Sequence, residues 1–115
     1  MKMNSAFYFE CNLAGRKYYD ANEVWQELFV GVRLSLVRDM NNRYDPNAIQ
    51  VVYERSLESF VLGYIPMICN EELSKFLDMG WNDAFCCRIS KISPDKDYEN
   101  QIRLTISIVR NSTME

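Results

Sequence analysis

Residues 32–53 read VRLSLVRDMNNRYDPNAIQVVY, two alternating apolar runs held apart by a crowded polar loop. Val32, Leu34 and Leu36 alternate with Arg33 and Ser35, and Ile49, Val51 and Tyr53 resume the alternation beyond the loop. A period of two places each apolar set on one face of a half-buried strand, so the segment predicts two strands joined through Asn41–Asn47.

The same period recurs on both sides of this pair. Phe7, Phe9 and Cys11 alternate with Tyr8 and Glu10, residues 60–65 run apolar into Gly63-Tyr-Ile-Pro, and Phe85, Cys87 and Ile89 mark a fifth strand. Ile102, Leu104, Ile106 and Ile108 give a sixth, with the cleanest alternation in the chain. One helix interrupts the strands. Asn70 is the expected N-cap, Glu71 and Glu72 suit the positive end of the helix dipole, Leu73, Phe76 and Leu77 share a face, and Gly80 supplies the left-handed C-terminal residue. A shorter helical turn is expected from Asn22 through Val24, Trp25 and Leu28, and Ser93–Asn100 reads as an exposed turn. The fold class is therefore mainly β: a small six-stranded barrel, OB-like or SH3-like, with one well-formed α-helix and one short helical turn.

At 115 residues the chain has the size of one domain, residues 1–115, with a flexible tail expected at 111–115. A composition 48% hydrophobic and 25% charged excludes the disordered class. Four cysteines without a C-x-x-C spacing, and no histidine, remove the usual zinc patterns. No basic-plus-apolar leader and no membrane-length apolar run are present, so a cytoplasmic chain with reduced thiols and no membrane association is expected, and Asn111-Ser-Thr is read as a chance glycosylation match. The net charge of −3 disfavours a strong non-specific nucleic-acid binder. Residues 1–43 nevertheless hold six Lys and Arg against five Asp and Glu, whereas residues 44–115 hold seven against eleven, so an anion site belongs nearer the N-terminal third.

The loop admits two readings. Asp and Asn bond neighbouring backbone in turns and Pro46 fixes one φ, so turn chemistry accounts for Asp45-Pro-Asn. It accounts less well for Tyr44, a large ring in a solvated loop, and for the guanidiniums of Arg38 and Arg43. An aromatic ring beside a carboxylate, amides and cations is what a single-stranded nucleotide end requires: a stacking surface, an acceptor for a sugar hydroxyl and partners for phosphates. On composition alone the turn reading is the stronger.

Arg38-Asp-x-Asn-Asn-x-Tyr-Asp-Pro-Asn-Ala-Ile-x-Val51, preceded by Gly15-x-x-Tyr-Tyr19 and followed by Leu62-Gly-Tyr-Ile-Pro66, resembles the HIRAN domain over roughly residues 6–108. That module occurs at the N-terminus of helicase-like, fork-remodelling translocases and as short free-standing bacterial proteins. The resemblance implies a modified OB-like barrel that captures the 3′ end of single-stranded DNA in repair or processing. By motif, Tyr18 and Tyr44 would sandwich the terminal base, Asp45 would accept from the 3′-hydroxyl, Asn42 would help fix the end, and Lys17 stands at a basic phosphate position. Arg16, Arg38, Arg43 and Tyr64 are further candidates for phosphate contact. Tyr64 stands where DNA-binding members carry a His, Pro66-Met67 replaces a basic pair, and Arg43 stands where a Pro is common.

Catalysis finds little footing. Without His a Ser or Cys nucleophile lacks its commonest base, no phosphate-cradling GxxxxGK[ST] loop is present, and Asp39 with Asp45 is too sparse a pattern for a metal site. No cofactor and no enzymatic activity are expected. The expected partners are a single-stranded DNA 3′ end and a helicase or nuclease. The alternative is a protein-interaction or scaffold module that keeps the barrel and has lost or weakened DNA binding.

Overall fold

The computed structural model describes residues 4–110, so the tail expected at 111–115 lies outside the described residues. Six strands form one antiparallel sheet: β1 (Ser5–Asn12), β2 (Arg33–Arg38), β3 (Ile49–Arg55), β4 (Glu58–Tyr64), β5 (Phe85–Ile92) and β6 (Ile102–Val109). Their order across the sheet is β1-β6-β5-β2-β3-β4. The alternation read from the sequence holds through the strand centres, where Leu34, Val51, Ile89, Leu104 and Ile106 face a common core with Leu13, Leu62 and Leu73; it fails at Phe7, exposed beyond a bulge in β1, and at Ile108, exposed at the end of β6. β2 pairs with β5 at only two residues, Arg33 with Arg88 and Leu34 with Cys87, before turning away towards β3. Asn82 fills part of that split by donating its side chain to the Leu36 carbonyl at 3.3 Å.

The two outer strands of this order meet. Just past β1, Ala14 N–H donates to the Tyr64 carbonyl and Tyr64 N–H donates to the Ala14 carbonyl, both at 2.8 Å. This single bridge curls the sheet into a barrel-like shape without a full closing ladder. Gly63 makes the approach feasible, because a Cβ there would lie 2.4 Å from the Ala14 carbonyl oxygen, well inside contact distance.

The helix α1 (Glu71–Asp78) packs Leu73 and Leu77 into the core, with Phe76 half-buried against Phe85 and Trp81 at ring-centroid distances of 5.4 and 5.7 Å. It ends before Gly80, which takes φ 83° as expected. The capping expectation fails. Asn70 itself lies in the right-handed helical region at φ −100° and ψ −15°, because a 3₁₀ turn over Met67–Cys69 runs directly into the helix. A capping side chain requires an extended residue, so the Asn70 amide turns to another partner. The expected turn after Asn22 also differs: it is a 3₁₀ segment over Asp20–Glu27, interrupted at Val24, and Asn22 accepts from Arg16 instead of capping. No helix among the described residues is long and apolar enough to cross a membrane.

Candidate functional site

The Ala14–Tyr64 bridge places the turn that follows β1 beside the end of β4. Gly15, at φ 75°, opens that turn, which closes as 3₁₀ with the Tyr18 N–H donating to the Gly15 carbonyl at 3.0 Å. Tyr19 folds back onto Tyr64 with ring centroids 5.4 Å apart, while Tyr18 points outward and is 78% exposed. Lys17 is also exposed, its ammonium 6.0 Å from the Tyr18 ring centroid. Lys17 and Tyr18 line a cleft of about 620 Å³ with Lys96, Asp97, Tyr98 and Glu99.

From Tyr64 the polar contacts run into the β2–β3 loop. The Tyr64 hydroxyl donates to Asp39 Oδ2 at 2.7 Å, and the Asn42 amide donates to the same oxygen at 3.4 Å. Asn42 Oδ1 in turn accepts from the backbone N–H groups of both Tyr44 and Asp45 at 2.9 Å. Asp45 uses both carboxylate oxygens: Oδ1 accepts from Asn47 N–H at 2.9 Å and Oδ2 accepts from Asn70 Nδ2 at 2.8 Å. Asn70, only 1% exposed, thereby ties the loop to the start of α1; one turn later Ser74 Oγ donates to the Glu71 carbonyl at 2.6 Å and lies 3.2 Å from Asn47 Oδ1. The Tyr44 ring takes no part and is 90% exposed.

These bonds set the local electrostatics. The Tyr64 hydroxyl, helped by Asn42, the Asn41 backbone and the charge of Arg38, holds the Asp39 carboxyl below the usual carboxylate range against a smaller opposing desolvation. Burial raises the Tyr64 phenol to about 12, with its bond to Asp39 and the neighbouring Tyr19 adding to the rise and Gln50 opposing it. Asp39 is therefore a fixed anion and Tyr64 a fixed donor near neutral pH.

Three of the four candidate phosphate contacts are engaged within the fold, Tyr64 through its bond to Asp39. Arg38 donates from Nε to Asp78 Oδ1 at 2.8 Å, from Nη1 to the Ala48 carbonyl at 2.6 Å and from Nη2 to the Pro46 carbonyl at 2.9 Å, so its guanidinium braces the loop against α1. Arg16 is 3% exposed, with its guanidinium carbon 4.7 Å from the Trp25 ring centroid and 4.6 Å from that of Tyr98. Two rings and the Asn22 side-chain oxygen Oδ1 at 2.8 Å take up a cation that the sequence places next to Lys17. Arg43 stays exposed, and Tyr64 is half-buried in the network.

Sequence reasoning missed Tyr98 and the work of Asn70, Asp39 and Tyr19. Tyr98 carries the same signal as Tyr44, an aromatic ring inside a charged turn. Asn70 gives none, because its partner lies 25 residues away.

Comparison with known proteins now bears on this geometry. No curated protein matches the chain. A crystal structure of a protein from Lactobacillus plantarum superposes with a TM-score of 0.72 at 24% identity, covering 93% of this chain and 97% of that one. The crystal structure of the HIRAN domain of human HLTF superposes with a TM-score of 0.57 at 18% identity, covering 93% of this chain and 82% of that one. At these identities both likenesses speak to fold alone. The sequence profile of the HIRAN domain matches residues 6–109, and the chain belongs to the HIRAN domain family.

Proposed function

We propose that the chain is a non-catalytic nucleic-acid-binding module that takes the 3′ end of a single DNA strand between Tyr18 and Tyr44, in DNA repair or processing alongside a helicase or nuclease. Membership of a family of DNA-binding modules supports nucleic-acid binding, and a binding role is what such a module offers rather than catalysis. One observation carries the finer reading: two tyrosine rings stand exposed, Tyr44 on a loop whose backbone Asn42 and Asp45 bond into place and Tyr18 on a 3₁₀ turn beside Tyr64 of the same network. Exposed rings on an ordered scaffold present stacking surface at low entropic cost.

Asp45 accepts from the 3′-hydroxyl in this reading, Lys17 and Arg43 face the phosphates, and Asn42 is a positioning residue that acts through the backbone of Tyr44. Arg16, Arg38 and Tyr64 drop out of the phosphate set. The test is fluorescence anisotropy with a 5′-labelled single strand carrying either a 3′-hydroxyl or a 3′-phosphate. Tyr44→Ala is expected to weaken hydroxyl-end binding by about 5- to 150-fold, the equivalent of roughly 1–3 kcal/mol of stacking, without lowering the melting temperature. Unchanged affinity, or equal binding of the two ends, would sink the assignment.

A second reading, protein docking in place of DNA capture, is favoured by Met67 and Ile68, which stand 64% and 97% exposed on the turn before α1. Recovery of a protein partner that survives nuclease digestion and is lost on Ile68→Ser would favour it over the first.

A further inference from the structure

The face of β2, β5 and β6 that points away from the core carries a charge pattern that sheet stability alone does not explain. Arg33 and Arg88, both exposed, are direct cross-strand partners, and like charges in that position destabilise a sheet. One bulge further along β5, exposed Lys91 stands opposite Arg103. Arg103 is compensated by Glu10, but the Arg33 side chain makes no hydrogen bond or ion pair among the described residues, and Arg88 only donates to the Gly31 carbonyl at 2.9 Å. The pair opens into a cleft of about 630 Å³ whose wall also includes Ser107 and Thr105, the latter donating to Glu10 Oε2 at 3.4 Å, with Asp83 its one lining carboxylate among the described residues. In a chain of net charge −3 this is a local excess of positive charge over a floor of hydroxyl groups.

We propose that this cleft is a second nucleic-acid contact, in which Arg33 and Arg88 bind the phosphodiester backbone and the hydroxyl of Ser107 donates to its oxygens. Guanidiniums beside hydroxyls are the groups that contact phosphate and sugar without reading sequence. Arg33 opens β2 and Arg38 closes it, so the cleft lies about 17 Å along the strand from the start of the loop that carries Tyr44, at roughly 3.3 Å per residue. It therefore holds a part of the strand distant from the captured end. The proposal rests on the nucleic-acid reading but not on recognition of the 3′ end.

The experiment compares wild type with Arg33→Ala, Arg88→Ala and the double variant, using oligonucleotides of about 4 and about 16 nucleotides, the range of site sizes for a small barrel. The double variant is expected to keep its affinity for the short strand and lose affinity for the long one. Its salt slope for the long strand is expected to be shallower by about 1.4, two contacts at about 0.7 each, so that wild type loses about seven-fold more affinity between 50 and 200 mM salt. Removing one of two opposed cations is expected to leave the melting temperature unchanged or higher, which shows that the variants fold. An unchanged slope and affinity for the long strand would overturn the proposal. Equal competition by poly-glutamate at matched charge would overturn it in favour of an acidic protein partner. If end capture fails instead, blocked and free ends bind alike and Tyr44→Ala is silent, while the effect of Arg33 and Arg88 on the slope persists.

Discussion

Replacing Asp45 by Ala removes two acceptors at once, and the structure sets the cost of each. The bond to Asn47 N–H, at 2.9 Å, holds the turn; losing such a bond costs about 0.5–1.5 kcal/mol. The bond from Asn70 Nδ2, at 2.8 Å, belongs to a side chain only 1% exposed, so its loss leaves a buried donor unpaired at about 1–3 kcal/mol. Asp45 itself is half-exposed and water can replace part of what it gave, so the lower half of the combined range, about 2 kcal/mol, is expected. For 115 residues with an unfolding entropy of about 2.1 cal/mol/K each, that lowers the melting temperature by about 8 °C.

Thermal unfolding followed by far-ultraviolet circular dichroism measures this, and a double-mutant cycle with Asn70→Ala isolates the pair. Removing both partners leaves no unpaired donor, so the double variant is expected to be more stable than the sum of the singles predicts by about 0.5–3 kcal/mol. A melting temperature for Asp45→Ala within about 2 °C of wild type, the range of an ordinary surface substitution, would refute the reasoning. It would mean that the loop does not depend on its link to α1.

The bridge and Tyr64 give three further expected outcomes. Gly63→Ala drives a methyl group to 2.4 Å from the Ala14 carbonyl oxygen, so it is expected to destabilise the domain by at least about 3 kcal/mol, at the upper end of overpacking costs, as measured by urea unfolding. Asp39 has its pKa depressed by the Tyr64 hydroxyl, so its contribution to stability is present above the ordinary carboxylate value of about 3.9 and is lost as pH falls through the lower folded value; Tyr64→Phe is expected to move that acid loss to higher pH. Tyr64 is raised from 10.0 to about 12, so the stability it confers is full below 10.0 and lost as pH climbs through about 12; Tyr64→Phe is expected to remove this alkaline loss, read by thermal melts and by phenolate absorbance.

The strands were legible because half-buried strands write a period of two, as Val32 to Leu36 and Ile102 to Ile108 do. The helix was legible from Leu73, Phe76 and Leu77, and its end from Gly80. The caps were not. A short amide has the same composition whether it caps its own helix or reaches a distant carboxylate, and at Asn22 and Asn70 the decision was made by Arg16 and Asp45. Cations failed for the same reason. Arg16 and Lys17 are neighbours in sequence, yet Trp25 and Tyr98 enclose the first while the second stays in solvent. The bridge between Ala14 and Tyr64 was also invisible, since nothing local in Gly63-Tyr-Ile-Pro shows which backbone passes over the glycine.

The crowding of residues 41–47 answers both readings of the loop, because the two draw on different atoms. The turn reading uses the amide of Asn42, one acceptor site on each Asp45 oxygen and the guanidinium of Arg38. An ionised carboxylate offers about four lone-pair sites, so Asp45 retains about two for a ligand hydroxyl while holding Asn47 and Asn70. The Tyr44 ring serves no structural bond at all. A network that fixes the backbone of Tyr44 through Asn42 also reduces the ordering cost when a base stacks on that ring. Asn is therefore a poor conservative test at position 45: Asn47 and Asn70 donate to different oxygens of Asp45, so the amide group of Asn would face one of these donors. A loss of hydroxyl-end binding in Asp45→Asn would arise from a disturbed loop as readily as from a missing ligand contact. The exposed ring of Tyr44 is the point at which stacking separates from the turn that carries it.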